Sequence, residues 1–238
     1  MKRNFLAIVL VAAGLMMSAC NNGSNQNQNG NNNSNKKENV VTPKNDDSSG
    51  IRSIEKVWAA KAIDVDPGDK TPGIEQFALA FCKEYPGFPL NEVLRNYITY
   101  DSYEHPEYEI INDPAHGYIH CMWEVQTTPV TDVCYWNRNN GNKLVAVYME
   151  DTHESGEWFD RLVAFYDFDP ATNMMTPEPA LTEMIVNRVK KYDTYAVTLP
   201  REGKDIEVVG YIFDEEEDTS DSKEMLLKWN GMTFDWTE

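Results

Sequence analysis

The sequence is poor in positive charge. Its 238 residues carry 21 lysines and arginines against 39 aspartates and glutamates, so the formal net charge is −18 at pH 7. Binding to nucleic acids depends on cationic contacts with phosphates, and adsorption to an anionic membrane surface also needs basic residues. The composition argues against both kinds of partner, and we expect no nucleic-acid ligand.

Long hydrophobic runs and catalytic motifs are also scarce. The run from Phe5 to Met17 is too short to cross a hydrocarbon core of about 30 Å as a helix, and no second run of this kind follows. The sequence contains no H-E-x-x-H motif, no paired C-x-x-C and no G-x-S-x-G. We therefore expect no membrane-spanning helix, no cofactor and no bound metal.

The N-terminus has the layout of a secretory signal. Lys2 and Arg3 precede the apolar run, and two small residues and Cys20 follow it. This layout resembles a bacterial lipoprotein signal, in which a cysteine comes directly after the cleavage site. The resemblance implies that residues 1–19 are removed and that lipid on Cys20 anchors the protein to a membrane.

Residues 20–50 are predicted to be a disordered tether. Eleven of the thirty residues after Cys20 are asparagine, and most of the others are polar or glycine. Such a segment buries too little apolar surface to offset the entropy lost on ordering. We interpret it as a spacer, with an Asn/Gln-rich assembly segment as the alternative. Residues 51–238 are assigned to a single α+β globular domain, which is long enough to bury a core.

The domain is predicted to begin with helices and to continue with strands. Apolar residues recur at helical spacing over 72–85 and again over about 90–98, and residues 180–190 fit a short helix or an irregular turn. From about residue 108, β-branched and aromatic segments alternate with turn residues. We therefore expect N-terminal helices packed on an antiparallel β-meander sheet. The main predicted strands are 118–125, 131–137, 143–150, 161–168, 174–176, 192–199, 205–213, 225–229 and 233–236.

Two predicted strands lack the alternation of a half-exposed sheet. Leu144–Met149 and Leu162–Tyr166 are apolar almost throughout, which is typical of strands that are covered on both faces. The predicted helices cover one face. For the other face the sequence leaves three alternatives: it packs against a second sheet layer, against the C-terminal strands or against another subunit.

Three cysteines remain after Cys20. Cys82 falls on the apolar face of the first predicted helix, where we expect it to be buried and inert. Cys121 and Cys134 flank a predicted strand turn. They form either a disulfide or two buried apolar side chains, and an odd thiol is left over in the first case.

The candidate site is an acidic loop between two predicted strands, Asp151–Asp160. Loops held by rigid strands often carry function. Carboxylates and an imidazole bind divalent cations or supply acid–base groups, and an exposed tryptophan stacks on a sugar ring or anchors a protein. A solvated polar loop is the simpler interpretation. The candidate binding residues are Glu150, Asp151, His153, Glu154 and Trp158.

Two further acidic segments have simple interpretations. Asp167–Glu178 has carboxylates at the first and last positions of a calcium-loop spacing, but Ala171 and Thr172 stand where a ligand and a glycine are required. We interpret it as a β-turn. Asp214–Asp221 is interpreted as an acidic hairpin loop.

Three segments combine a tight turn with hydrophobic strands. They are W-N-R-N-N-G-N-K-L-V-A-V (Trp136–Val147), F-Y-D-F-D-P-A-T (Phe165–Thr172) and K-W-N-G-M-T-F (Lys228–Phe234). These segments resemble uncharacterised exported lipoproteins of Bacteroidetes-type bacteria, and the resemblance implies no catalytic residues. The tether lacks the acidic start that resembles a surface-export signal in such bacteria, which implies a protein that faces the periplasm.

The sequence favours three functions. The first is a non-enzymatic binding or accessory lipoprotein of the cell envelope, whose partner is a protein, a peptide or a glycan. The second is an envelope hydrolase or metal-dependent enzyme that uses the acidic and histidine residues of 150–157. The third is a structural homodimer in which the doubly apolar sheet is buried between subunits.

Overall fold

The computed structural model describes residues 61–68, 71–87, 90–100, 107–123, 129–152, 159–214 and 219–237. Within these residues the chain forms eleven strands and three helices, with antiparallel sheets dominating. The α+β class predicted from the sequence is therefore confirmed.

The elements follow one another with short connections. In chain order they are β1 (Ile63–Asp64), α1 (Ile74–Glu84), α2 (Asn91–Thr99), β2 (Tyr108–Asp113), β3 (Tyr118–Trp123), β4 (Val130–Asn137), β5 (Lys143–Thr152), β6 (Phe159–Asp169), β7 (Met174–Pro177), α3 (Pro179–Val189), β8 (Thr194–Thr198), β9 (Ile206–Asp214), β10 (Thr219–Trp229) and β11 (Phe234–Trp236). The expectation that the helices are N-terminal is wrong, because β1 precedes α1 and α3 follows β7. The segment around 180–190 is the helix α3, not an irregular turn.

The described strands form two antiparallel sheets instead of one. The first sheet has seven strands in the order β1-β7-β6-β5-β4-β3-β2, and the second has four in the order β11-β10-β9-β8. Within each sheet the strands pair in sequence order, except that β1 pairs with β7. The predicted meander is therefore correct for local pairing and wrong for the number of sheets.

A tight turn joins β4 to β5, as the Asn-Asn-Gly sequence predicts. Gly141 has φ of 94°, a left-handed conformation that glycine adopts without steric cost. The amide of Asn142 donates to the side-chain oxygen of Asn140 at 3.0 Å, and the amide of Arg138 donates to the carbonyl of Asn142 at 2.9 Å. This turn fixes the register of the two strands.

The first apolar cluster lies between the seven-stranded sheet and helices α1 and α2. Phe77 of α1 packs edge-to-face on Phe168 of β6, with ring centroids 4.8 Å apart. Phe81, Val147 and Ala164 are buried in the same cluster. The apolar residues that predicted a helix over 72–85 therefore form the face of α1 that packs on the sheet.

The second apolar cluster covers the opposite face of the same sheet. Leu144 and Phe165 from the central strands pack with Ile185 of α3 and with Val208 and Leu227 of the second sheet. The C-terminal strands of the same chain therefore cover the second face of the first sheet, as one of the three alternatives had it. The apolar face itself is not open to another subunit.

Cys121 and Cys134 lie on opposite faces of the first sheet. Cys121 belongs to the cluster under the helices, whereas Cys134 belongs to the cluster under the second sheet. Both are free thiols, so the disulfide alternative is wrong. Cys82 is buried as expected, and burial raises the pKa of its thiol to about 12.

Gly210 of β9 leaves room for an aromatic ring. A Cβ atom on this residue would lie 2.4 Å from Cδ2 and 2.5 Å from Cγ of Tyr192, a buried side chain. Only glycine leaves space for the Tyr192 ring this close to the backbone of β9.

Replacing Gly210 with alanine is expected to lower the free energy of unfolding by about 1–3 kcal/mol, because the new methyl group overlaps the Tyr192 ring. Urea unfolding of the full-length chain measures this. The matched control is Gly87→Ala, whose Cβ would meet no atom within 4 Å and whose effect is expected within about 0.5 kcal/mol. Equal midpoints for the two variants would contradict the close approach.

Candidate functional site

A band of polar side chains crosses the face of the first sheet that lies under the second sheet. In the strand register His120 is opposite Asp132, Asp132 is opposite Tyr148, and Glu150 is opposite Arg161. Residues directly opposite one another share a face, so these five side chains are neighbours. We call these residues, together with Tyr118, the polar band.

Glu150, a predicted site residue, is held by two partners within the polar band. Arg161 donates from Nη2 to Oε1 at 2.8 Å, and the hydroxyl of Tyr148 donates to Oε2 at 2.7 Å. Arg161 also donates from Nη1 to the hydroxyl of Thr194 at 2.5 Å, which ties the first sheet to β8. Burial, followed by the charge of Glu150, raises the pKa of Tyr148 well above its ordinary value. Tyr148 therefore stays protonated and remains a donor.

The other end of the polar band is a cluster around Asp132. Nδ1 of His120 lies 2.6 Å from Oδ1 of Asp132, and the hydroxyl of Tyr118 donates to the same oxygen at 3.1 Å. Burial alone would lower the pKa of His120, but the hydrogen bond and charge of Asp132, assisted by Glu109, raise it above its ordinary value. A carboxylate that orients an imidazole in this way stabilises the imidazolium.

Sequence reasoning did not assign this cluster. The alternation of β3 indicates that His120 and Cys121 point to opposite faces, but the partner of His120 comes from the next strand. The signal that identifies it is the register between β3 and β4, which places Asp132 opposite His120.

The acidic loop is shorter than predicted. Strands β5 and β6 extend to Thr152 and Phe159, and Asp151 lies opposite Asp160 in the ladder. Asp151 is therefore a strand residue and not a loop residue, whereas Glu150 lies in β5 as the predicted strand 143–150 has it. The remaining predicted positions, His153, Glu154 and Trp158, lie outside the described residues, as does Cys20.

Arg138 pairs with Asp167 and Glu178, the two acidic residues whose spacing resembles that of a calcium loop. Its guanidinium donates from Nη1 and Nη2 to the two carboxylate oxygens of Glu178, at 2.5 and 2.6 Å, and from Nη1 to Asp167 at 2.5 Å. Across the part of the chain that the structure describes, no group of three or more His, Cys, Asp or Glu residues is placed to hold a metal ion. Asp167 and Glu178 form ion pairs with Arg138, and Asp169 accepts a hydrogen bond from the amide of Ala171 at 2.8 Å, in agreement with the interpretation of this segment as a turn.

The C-terminal end of β9 exposes two apolar residues. Ile212 and Phe213 are 46% and 53% exposed. The edge strand β8 begins at Thr194, which pairs with Tyr211 of β9. Ile212 and Phe213 therefore extend past the end of β8. The backbone of Phe213 is fixed, because its amide donates to a side-chain oxygen of Asp193 at 2.8 Å.

A shallow cavity of about 630 Å³ borders β10 farther from this hairpin end. Its lining mixes charges of both signs, with Arg188 and Lys223 as the basic residues and Glu207 and Glu224 as the acidic ones. Such a lining suits an extended polar segment better than a small apolar ligand.

Comparisons with known proteins gave no relative: no protein-family model, no curated protein and no solved structure matches this chain.

Replacing His120 with glutamine is expected to reduce the free energy of unfolding more at about pH 5.5 than at about pH 8.5. The folded-state pKa of His120 is raised, so the imidazolium contributes fully below the unfolded value of about 6.5. That contribution is lost as pH rises through the folded-state pKa. Urea unfolding of the full-length chain at both pH values measures the difference.

The matched background for this experiment is Asp132→Asn. Without the carboxylate charge, the effect of His120→Gln should depend much less on pH. An effect of equal size at both pH values in the otherwise unchanged chain would contradict the stabilised imidazolium.

Proposed function

We propose that this chain is a lipid-anchored protein of a bacterial cell envelope that acts as a non-enzymatic binding or accessory module. Its partner is a protein or peptide that docks on the end of the β9–β10 hairpin. The observation that carries the proposal is the exposure of Ile212 and Phe213, two large apolar residues that follow one another in β9 and therefore point to opposite faces of the strand end. A partner that contacts both residues encloses the end of β9, with one apolar contact on each face.

The surroundings of Ile212 and Phe213 define the chemistry of the partner. Asp221 is exposed and lies opposite Ile212 in the ladder, and Asp193 is adjacent to Phe213. The sequence continues from β9 into an acidic run, 214–218. A complementary surface therefore combines apolar contacts on the two faces of the strand end with basic residues around them.

The contacts of Glu150 do not favour the alternative of an envelope enzyme. A general base must offer a carboxylate oxygen to a substrate or a water molecule. Both oxygens of Glu150 already accept hydrogen bonds, from Arg161 and Tyr148. Freeing them would break an ion pair that lies between the two sheets.

The anchoring part of the proposal rests on the signal-like N-terminus, with lipid on Cys20 and the domain facing the periplasm. None of the helices in the described part of the chain is both long and apolar enough to cross a membrane. The lipid is then the proposed means of attachment, and the asparagine-rich segment is the spacer.

Replacing Cys20 with alanine is expected to abolish metabolic labelling with a fatty-acid analogue and to move the protein from the membrane pellet to the supernatant, because the acceptor of the lipid is gone. The control is Cys82→Ala, which removes a buried thiol and should leave labelling intact. Retained label in the Cys20→Ala variant would contradict the anchor.

A photo-crosslinking amino acid at position 213 is expected to link the full-length protein in intact cells to a defined second protein. The same probe at Glu207, exposed on the same face of β9, is the control and should give little product. Adding Ile212→Ser should weaken the product at 213 by about tenfold, because part of the apolar contact is lost. Equal crosslinking at 207 and 213 would contradict docking at the hairpin end.

A further inference from the structure

The N-terminal half of β10 has an open edge. On one side β10 pairs with β9 over Thr219–Leu227. On the other side β11 pairs only with Leu227–Trp229, and the last contact is the amide of Thr237 donating to the carbonyl of Leu226 at 3.0 Å. No other described strand pairs with this side of β10. The side chains of residues 221–224 are exposed.

The backbone groups on this edge are set by the alternation of an antiparallel ladder. Leu226 directs its carbonyl toward β11, and Asn230 donates its amide in the same direction to Thr233 at 3.0 Å. By alternation, Ser220, Ser222 and Glu224 direct their N–H and C=O groups outward, away from β9. Such a row is a template for one more strand.

We propose that this edge pairs antiparallel with the same edge of a second copy of the chain, around a two-fold axis at Ser222. In this arrangement Ser222 lies opposite the partner's Ser222, and Ser220 lies opposite the partner's Glu224. Asp221 lies opposite the partner's Lys223, and the symmetry repeats this pair. The outward-facing groups supply about six inter-chain hydrogen bonds, and the interface is self-complementary, as a two-fold dimer requires.

Charge selects this register over its neighbours. Moving the axis to Asp221 places two aspartates directly opposite one another, and moving it to Lys223 does the same with two lysines. Like charges in such positions are destabilising, whereas opposite charges stabilise a cross-strand pair. Charged residues normally protect an edge strand from pairing. Here the order Asp-Ser-Lys over 221–223 permits one symmetric pairing and opposes the two adjacent ones.

The interface is small, so the dimer is weak in dilute solution. Anchoring both copies to one membrane, as in the proposed function, would raise their effective concentration. The pairing itself does not depend on the anchor, because it uses only β10.

Replacing Ser222 with cysteine tests the axis directly in the full-length chain. Hydrogen-bonded residues on opposite strands have Cα atoms about 5.5 Å apart, which is within the range that a disulfide spans. Mild oxidation is expected to yield a disulfide-linked product with the mass of two chains. The matched control is Glu224→Cys, which is exposed on the same face of β10, but its twin would lie more than roughly 13 Å away. The unsubstituted chain is the control for any disulfide-linked product that forms through Cys20.

Charge reversal tests the register. In the Ser222→Cys chain, adding Asp221→Lys or Lys223→Asp makes both cross-strand pairs repulsive and should reduce the linked product by about tenfold. Combining the two reversals restores opposite charges and should restore the product, which a folding defect would not do.

Three results would overturn the proposal. One is that Ser222→Cys links no better than Glu224→Cys. Another is a linked product that contains a different protein in place of a second copy. The third is that the double reversal yields no more product than either single reversal. None of these outcomes bears on crosslinking from position 213, so the two proposals fail separately.

Discussion

The burial of β5 and β6 on both faces is the constraint on which the rest of the structure depends. Val147 and Ala164 face the helices, whereas Ala146 and Phe165 face the second sheet, and all four are almost inaccessible to solvent. Neither face can be left in water without exposing a continuous apolar surface. The helices and the C-terminal strands are therefore both required by the same pair of strands. The second sheet is therefore part of the core, and the two proposed contact sites lie on it, one at the edge of β10 and one at the end of β9.

The polar band is compatible with this core because its charges are paired where the sheets meet. Breaking a buried ion pair by removing one partner costs more than the pair contributes to stability, because one charge is left without compensation. A shift of β5 against β6 by one residue would separate Arg161 from Glu150 and turn every apolar side chain to the wrong face. The pairs Glu150–Arg161 and Asp132–His120 therefore penalise alternative registers. We infer a structural role for Glu150, in place of the binding role predicted from its position beside an acidic loop.

The features predicted from the sequence are those that depend on neighbouring residues. Helix α1, the Asn-Gly turn and the doubly buried strands all follow from local spacing and composition. Contacts between distant residues were not predictable in this way. Arg138 is 29 residues from Asp167 and 40 from Glu178, so the sequence shows only a calcium-like spacing of carboxylates. The acidic loop was predicted too long, because the ladder between β5 and β6 continues past the last apolar residues, where side-chain pattern no longer reports backbone pairing.

The proposed dimer and the proposed lipid anchor both constrain the segment between Cys20 and the domain. A two-fold axis across β10 runs the paired strands in opposite directions, so it places equivalent points of the two domains on opposite sides of the axis. Short, stiff connections to one membrane would permit that arrangement only with the axis along the membrane normal. The proposed tether, as a flexible coil of thirty residues, would have a root-mean-square reach of roughly 30 Å and would allow each domain to turn relative to its lipid. The pair would then present Ile212 and Phe213 twice, and a partner with two matching surfaces would bind more tightly than a single hairpin end permits. With the asparagine-rich segment as the proposed spacer, the pairing of β10 would set the relative orientation of the two copies.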